Sequence, residues 1–274
     1  MIRRVYDRTA QMIPKWLLNW IKSNSLAQRF ARFIVSHTPT QINTGAGAGL
    51  LIQTGQSNPA YGIGSNEQPV QMAVKKHLNP GDVFYDIGAN VGFFTIIAAR
   101  CVGQNGRVIA FEPVPENVAL IRKNIRLNNS DNVEVIQKAV SSVSGEGELL
   151  LSHYSGGSVL SEIDSPPPDL KDSISIDIVS IDELVRNGDI PAPTLVKIDV
   201  EGAEHDVLLG MRETIQKHQP VVIYEVDDSK QESLERKKEQ CATFFSEMGY
   251  QVQSLEDSYP EIGWLVYHAV ARPS

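Results

Sequence analysis

The sequence predicts an α/β fold, a doubly wound and mostly parallel sheet with helices on both faces. Three observations predict it. Short apolar segments alternate with helical patterns from residue 83 to about residue 248. The first of these segments runs directly into a glycine-rich turn. The last two segments, 250–255 and 263–271, are joined by a turn, which predicts a final hairpin.

The elements follow one another in a regular order. Residues 43–66 are rich in Gly, Ser, Asn and Thr, which predicts a loop with a short strand at 50–52. A helix at about 67–78 ends before Pro80, because proline disfavours helix at the residue preceding it. Asp182 is expected to cap the helix that starts at 183. The remaining segments predict strands at 83–87, 107–111, 133–140, 148–151, 174–178, 194–199 and 221–226, and helices at 92–101, 115–128, 203–217 and 230–248.

Composition excludes several classes of protein. The chain has 274 residues and a formal net charge of −8, so it lacks the basic footprint of a general nucleic-acid binder. No apolar run approaches the ~20 residues of a membrane span, and the first residues do not follow a signal-peptide pattern. Cys101 and Cys241 show no metal-ligand spacing. Reduced, buried cysteines and a cytoplasmic location are therefore expected.

Charge is concentrated at the N-terminus. Residues 1–40 contain seven basic residues and one acidic residue, and residues 13–35 predict one or two amphipathic helices with Trp16 and Trp20 four apart. Such a segment can contact the inner face of a membrane peripherally, mediate homodimerisation or bind another partner. Packing on its own domain or on a second subunit is the interpretation we favour.

The run Val83–Phe94 carries the first chemical signal. A strand ends near Asp86, a turn follows, and a helix starts. Gly88 permits backbone angles that a side chain forbids, and Gly92 leaves room at the helix start. Backbone can therefore approach a nucleotide-like ligand closely. The residues of this turn expected to contact the ligand are Asp86, Gly88, Ala89, Asn90 and Gly92.

Glu112 ends the strand at 107–111, where a carboxylate can accept hydrogen bonds from both hydroxyls of a ribose. Nicotinamide-dependent oxidoreductases use the same geometry, but Gly88–Gly92 lacks the G-x-G-x-x-G spacing that cradles a pyrophosphate. Asn117 is expected either to touch the ribose or to cap its helix. Ala139 is expected either in an apolar wall of the ligand site or in the core. A catalytically silent binding protein with the same sheet is another alternative.

A second signal lies in Leu195–Glu204, where an apolar strand ends in three acids, Asp199, Glu201 and Glu204. The helix dipole explains Glu204 well, because acids are favoured at a helix N-terminus. It explains Asp199 poorly, because Asp199 precedes the helix.

Both signals together resemble the two hallmark motifs of the FkbM family of S-adenosylmethionine-dependent methyltransferases. The resemblance covers roughly residues 60–250. It implies a Rossmann-like class I methyltransferase fold with a seven-stranded sheet and an antiparallel last strand. It also implies S-adenosylmethionine as cofactor and, as acceptor, a hydroxyl of a sugar, glycan or secondary metabolite. Residues 59–274 would form this domain, after a basic helical extension and glycine-rich loop at 1–58.

The expected chemistry is attack of an acceptor hydroxyl on the sulfonium methyl group. Asp199 is the first candidate for the base, followed by His205 and Glu225, the last at the end of strand 221–226. A divalent metal held by the acids is a less favoured alternative. Further residues expected near the acceptor are Tyr61 and Glu67, which follow the family pattern, Glu201 and Glu204, and Ser158 in a glycine-rich loop that resembles a lid.

Overall fold

The computed structural model describes residues 38–58, 60–152, 159–160, 170–258 and 265–274. The helices predicted within 13–35 and the loop that contains Ser158 lie outside these residues. Among the described helices, none is both long enough and apolar enough to cross a membrane.

Two β-sheets and a small hairpin form the framework of the described residues. The strands are β1 (Thr40–Gln41), β2 (Leu51–Ile52), β3 (Val83–Ile87), β4 (Arg107–Phe111), β5 (Val133–Ile136), β6 (Ala139–Val140), β7 (Gly145–Ser152), β8 (Val159–Leu160), β9 (Leu170–Val179), β10 (Leu195–Ile198), β11 (Val221–Asp228), β12 (Tyr250–Ser254) and β13 (Leu265–Pro273). The main sheet has seven strands in the order β5-β4-β3-β10-β11-β13-β12, and a second sheet has four in the order β6-β9-β7-β8. In the main sheet β13 runs antiparallel to both of its neighbours, whereas β5, β4, β3, β10 and β11 are mutually parallel. The predicted fold class is therefore confirmed.

Helices cover both faces of the main sheet, which explains why its central strands are continuously apolar. Successive residues of β3 show the two faces: Phe84 packs in one apolar cluster and Tyr85 in the other, and both are fully buried. The helices are α1 (Ala60–Ile63), α2 (Gln68–His77), α3 (Phe93–Val102), α4 (Pro115–Leu127), α5 (Ile181–Asn187), α6 (Glu204–Leu209), α7 (Arg212–His218) and α8 (Gln231–Glu247). Helices α2 and α3 pack on the Phe84 face, and α6, α7 and α8 pack on the Tyr85 face.

The predicted extents of two elements are wrong. The strand predicted at 133–140 is two strands, because the chain leaves the main sheet after Ile136 and joins the second sheet at Ala139. The helix predicted at 203–217 breaks after Leu209. At the break a Cβ on Gly210 would lie 2.0 Å from the carbonyl oxygen of Ser141, so the chain there passes directly against the second sheet.

Asp182 does not cap the helix that contains it. Helix α5 starts after Ser180, and the Asp182 carboxylate instead accepts hydrogen bonds from the backbone N–H groups of Glu213 and Thr214, at 2.9 and 2.7 Å. It therefore satisfies the first turn of α7, a helix that starts 30 residues later in the chain.

The loop before α1 packs on the domain. Ile42 and Ile52 are buried against α3, and the side chain of Asn124 on α4 bonds both backbone groups of Gln53. The described part of the predicted 1–58 extension is thus tied to the core. The domain boundary at residue 58 itself stays a prediction.

Candidate functional site

The candidate site is built where β3, β4 and β10 end side by side. The backbone N–H groups of Gly88 and Ala89 donate to the carbonyl of Phe111, at 3.1 and 3.0 Å. The N–H of Asp199 donates to the carbonyl of Ile87, at 3.0 Å. Because these bonds join three strand ends, segments that are far apart in sequence form one rim.

Gly88 is required by this arrangement. Its φ is +79°, and a Cβ placed on it would lie 1.7 Å from the carbonyl oxygen of Asp199. Gly92 has φ +82° and precedes α3, where a Cβ would lie 3.3 Å from Ile121. The first glycine lets two strand ends approach each other, and the second lets α3 start close to α4.

A cleft opens above this rim. It encloses about 700 Å³ of space, part of it open solvent. One wall is apolar, and the opposite end is acidic. The cleft is lined by Ile87, Gly88, Asn90, Phe111, Glu112, Pro113, Val114, Asn117, Lys138, Ala139, Val140, Leu149, Asp199, Val200, Glu201 and Ala203.

Glu112 lies in this cleft and is held by three donors. The backbone N–H of Asn90 donates to Oε2 at 2.8 Å, and the N–H of Val114 and the amide of Asn117 donate to Oε1 at 3.0 and 3.2 Å. Burial nevertheless raises the pKa of Glu112 to about 7, against the effect of these donors. Asn117 does not cap α4, since the cap position is Val114 and no side chain caps it.

Asp199 at the acidic end is paired with a buried cation that the sequence analysis missed. Nζ of Lys197 lies 2.8 Å from Oδ2 of Asp199 and 4.8 Å from the ring centre of Phe94. Burial disfavours the ammonium form, but the charges of Asp199, Glu67 and Asp86 outweigh burial and raise the pKa of Lys197. A lysine within an otherwise apolar strand is the sequence feature that could have predicted this buried ion pair.

Four predicted residues meet beside Asp199. Burial raises the pKa of the Tyr61 hydroxyl well above its usual range, and the carboxylates of Glu67, Asp199, Glu225 and Glu201 raise it further, in that order. The Tyr61 ring also packs against Phe93, with centroids 4.9 Å apart. Tyr61 is therefore close to a group of carboxylates that includes Asp199, which lines the cleft.

His268 belongs to this group and was not predicted. It lies opposite Glu225 in the antiparallel register of β11 and β13, and its Nε2 is 2.5 Å from Oε2 of Glu225 and 3.9 Å from Oε2 of Glu67. Burial lowers the pKa of His268 to about 4, and burial and nearby carboxylates raise that of Glu225. Burial thus favours the uncharged imidazole of His268. We call Glu67, Glu225 and His268 the Glu–Glu–His cluster.

The turn after Asp199 contains two further acids. Glu201 lines the cleft with φ +55°, and burial and the charge of Asp227 raise its pKa. Glu204 is buried and accepts a hydrogen bond from the N–H of Gly202 at 2.9 Å, and burial raises its pKa to about 7. Glu204 therefore stabilises the turn through a buried hydrogen bond, which agrees with a structural role.

Four other predicted residues are not among those that line the cleft, namely Asp86, Ala89, Gly92 and His205. Asp86 is fully buried behind it, where Oδ2 accepts a hydrogen bond from Thr95 at 2.5 Å and burial raises the pKa of the carboxyl group. His205 follows Glu204 on the outer side of α6 and lines a separate open groove with residues of α8. A step of one residue turns a helical side chain by about 100°, which places His205 outside the site.

Backbone strain coincides with the site. Of the five non-glycine residues with positive φ in the described ranges, Glu67 (44°), Asn90 (51°) and Glu201 (55°) are at or beside the cleft. Such conformations cost about 1–3 kcal/mol each and persist where the surrounding structure requires them.

Comparison with known proteins identifies the family. The family model described as "Methyltransferase FkbM domain" matches residues 86–252, more than half of the chain. The chain belongs to the FkbM methyltransferase family. The match starts at Asp86 and extends past the turn at Asp199, so the cleft and its acidic end lie within the FkbM methyltransferase domain.

Curated relatives of this FkbM chain include two named methyltransferases. The chain is 29% identical over 157 residues to the hexuronic acid methyltransferase AglP of Haloferax volcanii, which covers 57% of this chain and 61% of that protein. It is 30% identical over 178 residues to the 31-O-demethyl-FK506 methyltransferase FkbM of Streptomyces tacrolimicus, covering 55% and 67%. The chain thus spans about two thirds or less of the length of these relatives.

Solved structures include the methyltransferase FkbM from Methylobacillus flagellatus KT. It is 17% identical to this chain with a TM-score of 0.47, and the match covers 74% of this chain and 50% of that one. The strand order and the antiparallel β13 described above establish the fold independently of that match.

Proposed function

We propose that this FkbM-family protein is an S-adenosylmethionine-dependent O-methyltransferase whose acceptor is a hydroxyl of a sugar, glycan or secondary metabolite. The observation that carries the proposal is the convergence of Glu112 and Asp199 on one cleft from two separate strand ends. The acceptor class is supported by the relatives, since AglP is named for hexuronic acid and FkbM for a demethylated oxygen of FK506.

Different residues of the cleft suit the ribose, the adenine and the positively charged groups of the donor. Glu112 is placed to accept hydrogen bonds from the ribose diol, because its four lone-pair positions exceed the three protein donors that hold it. Ala139, Val140 and Leu149 supply an apolar wall for the adenine. Asp199 and Glu201 lie at the end where a positive sulfonium and ammonium group are favoured. The ligand contact predicted for Asp86 stays a prediction, since Asp86 is not among the residues that line the cleft.

S-adenosylmethionine supplies an electrophilic methyl group when it is bound. The chain must hold the acceptor oxygen in line with that methyl group, at ~3–3.5 Å, and exclude water. Transfer of the methyl group would leave the carbon–sulfur bonding pair on sulfur, so the chain would need to supply a base for the hydroxyl proton. We assign that base to Asp199, whose Oδ2 is fixed by Lys197, with Glu225 as the neighbouring candidate.

Incubation with isotope-labelled S-adenosylmethionine and a fractionated mixture of glycans and small hydroxylated metabolites tests the proposal. A labelled product that carries one added methyl ether supports it. Asp199→Asn is expected to lower the rate of product formation about 100-fold or more while S-adenosylhomocysteine still binds. Asp206→Asn, which changes an exposed acid on α6, is the matched control. Transfer to nitrogen or carbon only, or full activity in Asp199→Asn, would contradict the assignment.

A further inference from the structure

The Glu–Glu–His cluster lies outside the residues that line the cleft. It gathers Glu67 before α2, Glu225 on β11 and His268 on β13, three elements that are distant in sequence. One ligand atom of each lies within 4.8 Å of the others. We propose that this cluster is a divalent transition-metal site that activates the acceptor hydroxyl.

The spacing suits a metal with little movement. Metal–ligand bonds of ~2.0–2.2 Å place neighbouring ligand atoms ~3–3.5 Å apart. In the cluster, Nε2 of His268 lies 2.5 Å from Oε2 of Glu225 and 3.9 Å from Oε2 of Glu67. Shifts of less than about 1 Å would bring all three atoms to bonding distance of one ion.

The cluster has the outer contacts of a built site. The amide of Asn66 donates to Oε1 of Glu67 at 2.5 Å, which leaves Oε2 directed at His268, and Asn58 in turn donates to Asn66 at 3.0 Å. Behind the imidazole, the hydroxyl of Ser258 lies 3.5 Å from Nδ1. Metal-binding carboxylates and histidines characteristically have such partners, which fix the direction of the ligand atom.

Charge also favours a cation here. Glu67 and His268 are 5% and 4% exposed, and the two carboxylates of the cluster lie close together in this buried space. The nearby ammonium of Lys197 is paired directly with Asp199 and also interacts with Glu67. A divalent ion would offset the charge that the two carboxylates carry when both are ionised, which is costly to hold away from water. One imidazole with two carboxylates suits Mn²⁺, Fe²⁺ or Zn²⁺ better than Mg²⁺, which prefers oxygen ligands.

The position gives the ion a role in the proposed methyl transfer, on which this inference rests. Glu225 follows Tyr224, which pairs with Ile198 in the parallel register of β10 and β11, so Glu225 lies beside Asp199, and Asp199 lines the cleft. An ion in the cluster would therefore lie next to the acidic part of the cleft. A hydroxyl bound to it would lose its proton more readily, and the same ion would orient that hydroxyl toward the donor.

Titration of the full chain with Mn²⁺, in the presence of S-adenosylhomocysteine, tests the site without any acceptor. Loss of the free Mn²⁺ signal in electron paramagnetic resonance measures binding. One ion per chain is expected. Glu225→Gln and His268→Gln should weaken binding about 100-fold or more, and Asn66→Ala about 10- to 100-fold. Glu146→Gln, an exposed acid on β7, is the matched control and should leave Mn²⁺ binding unchanged.

The outcomes separate this inference from the proposed function. Binding of S-adenosylhomocysteine without Mn²⁺ binding up to millimolar concentration would overturn the metal site and leave the methyltransferase proposal standing. Binding of Mn²⁺ that both ligand variants leave unchanged would also overturn it, provided that their thermal unfolding shows a folded chain. Failure of S-adenosylhomocysteine to bind would instead count against the proposed function.

Discussion

Nζ of Lys197 lies 2.8 Å from Oδ2 of Asp199, and both residues are at the end of β10 beside the cleft. The lysine side chain is 4% exposed and the aspartate side chain 23%. The pair thus combines a buried cation with an anion that still reaches the cleft. It fixes one oxygen of the carboxylate on which the proposed chemistry depends.

Replacing Lys197 by Met is expected to lower the free energy of unfolding by about 3 kcal/mol, because it leaves Asp199 without its buried counter-ion. Asp199→Asn in the same background should restore part of this loss, since the uncompensated charge is then removed. Denaturant unfolding measures both variants. In contrast, Arg186→Met breaks the exposed pair with Glu213 and should cost less than about 0.5 kcal/mol. Equal losses in the two methionine variants would refute a special role for Lys197.

Gly88→Ala is expected to destabilise the chain by about 3 kcal/mol or more and to abolish cofactor binding. The added Cβ would meet the carbonyl of Asp199, and alanine is strained at φ +79°. Gly145→Ala is the matched control, because a Cβ there meets nothing within 4 Å. The midpoint of denaturant unfolding compares the two. A Gly88→Ala protein as stable as Gly145→Ala would show that the strand ends are not as close as described.

The affinity for S-adenosylhomocysteine is expected to rise with pH through about 7. The pKa of Glu112 is raised to about 7 in the folded chain, and the ionised form is the better acceptor for the ribose hydroxyls. If only that form binds well, affinity should rise up to about tenfold between about pH 6 and about pH 8. Glu112→Gln should bind weakly with no such rise.

The same raised pKa has the opposite effect on folding. A carboxyl group that binds its proton more tightly in the folded state stabilises the fold below its ordinary pKa of 4.5 and loses that contribution as pH rises through about 7. Ligand affinity and the stability of the unliganded chain should therefore change in opposite directions over this range. A wild-type affinity that is independent of pH would contradict the role of Glu112.

The residues at strand ends could be predicted from the sequence, and the reason is topological. Parallel strands end at one edge, so an acid that closes an apolar strand, such as Glu112 or Asp199, is placed there by the βα order alone. Glycines in the turn after β3 carry their own signal, because few other residues adopt the backbone angles that the turn needs.

Other parts depend on contacts that no local pattern encodes. His268 faces Glu225 only because of the register between β11 and β13, which brings together residues 43 positions apart. The break at Gly210 depends on the carbonyl of Ser141 lying against it. Asp182 has the sequence context of a local cap, yet it caps α7, because the packing of α5 beside α7 decides which N–H groups it can reach.

Calorimetric titration of the full chain with S-adenosylhomocysteine tests directly whether the ends of β3, β4 and β10 form one donor site. We expect one binding site per chain with micromolar affinity, lost in Glu112→Ala and retained in Asp206→Asn. The absence of both a heat of binding and a shift in thermal unfolding at saturating ligand would contradict this arrangement.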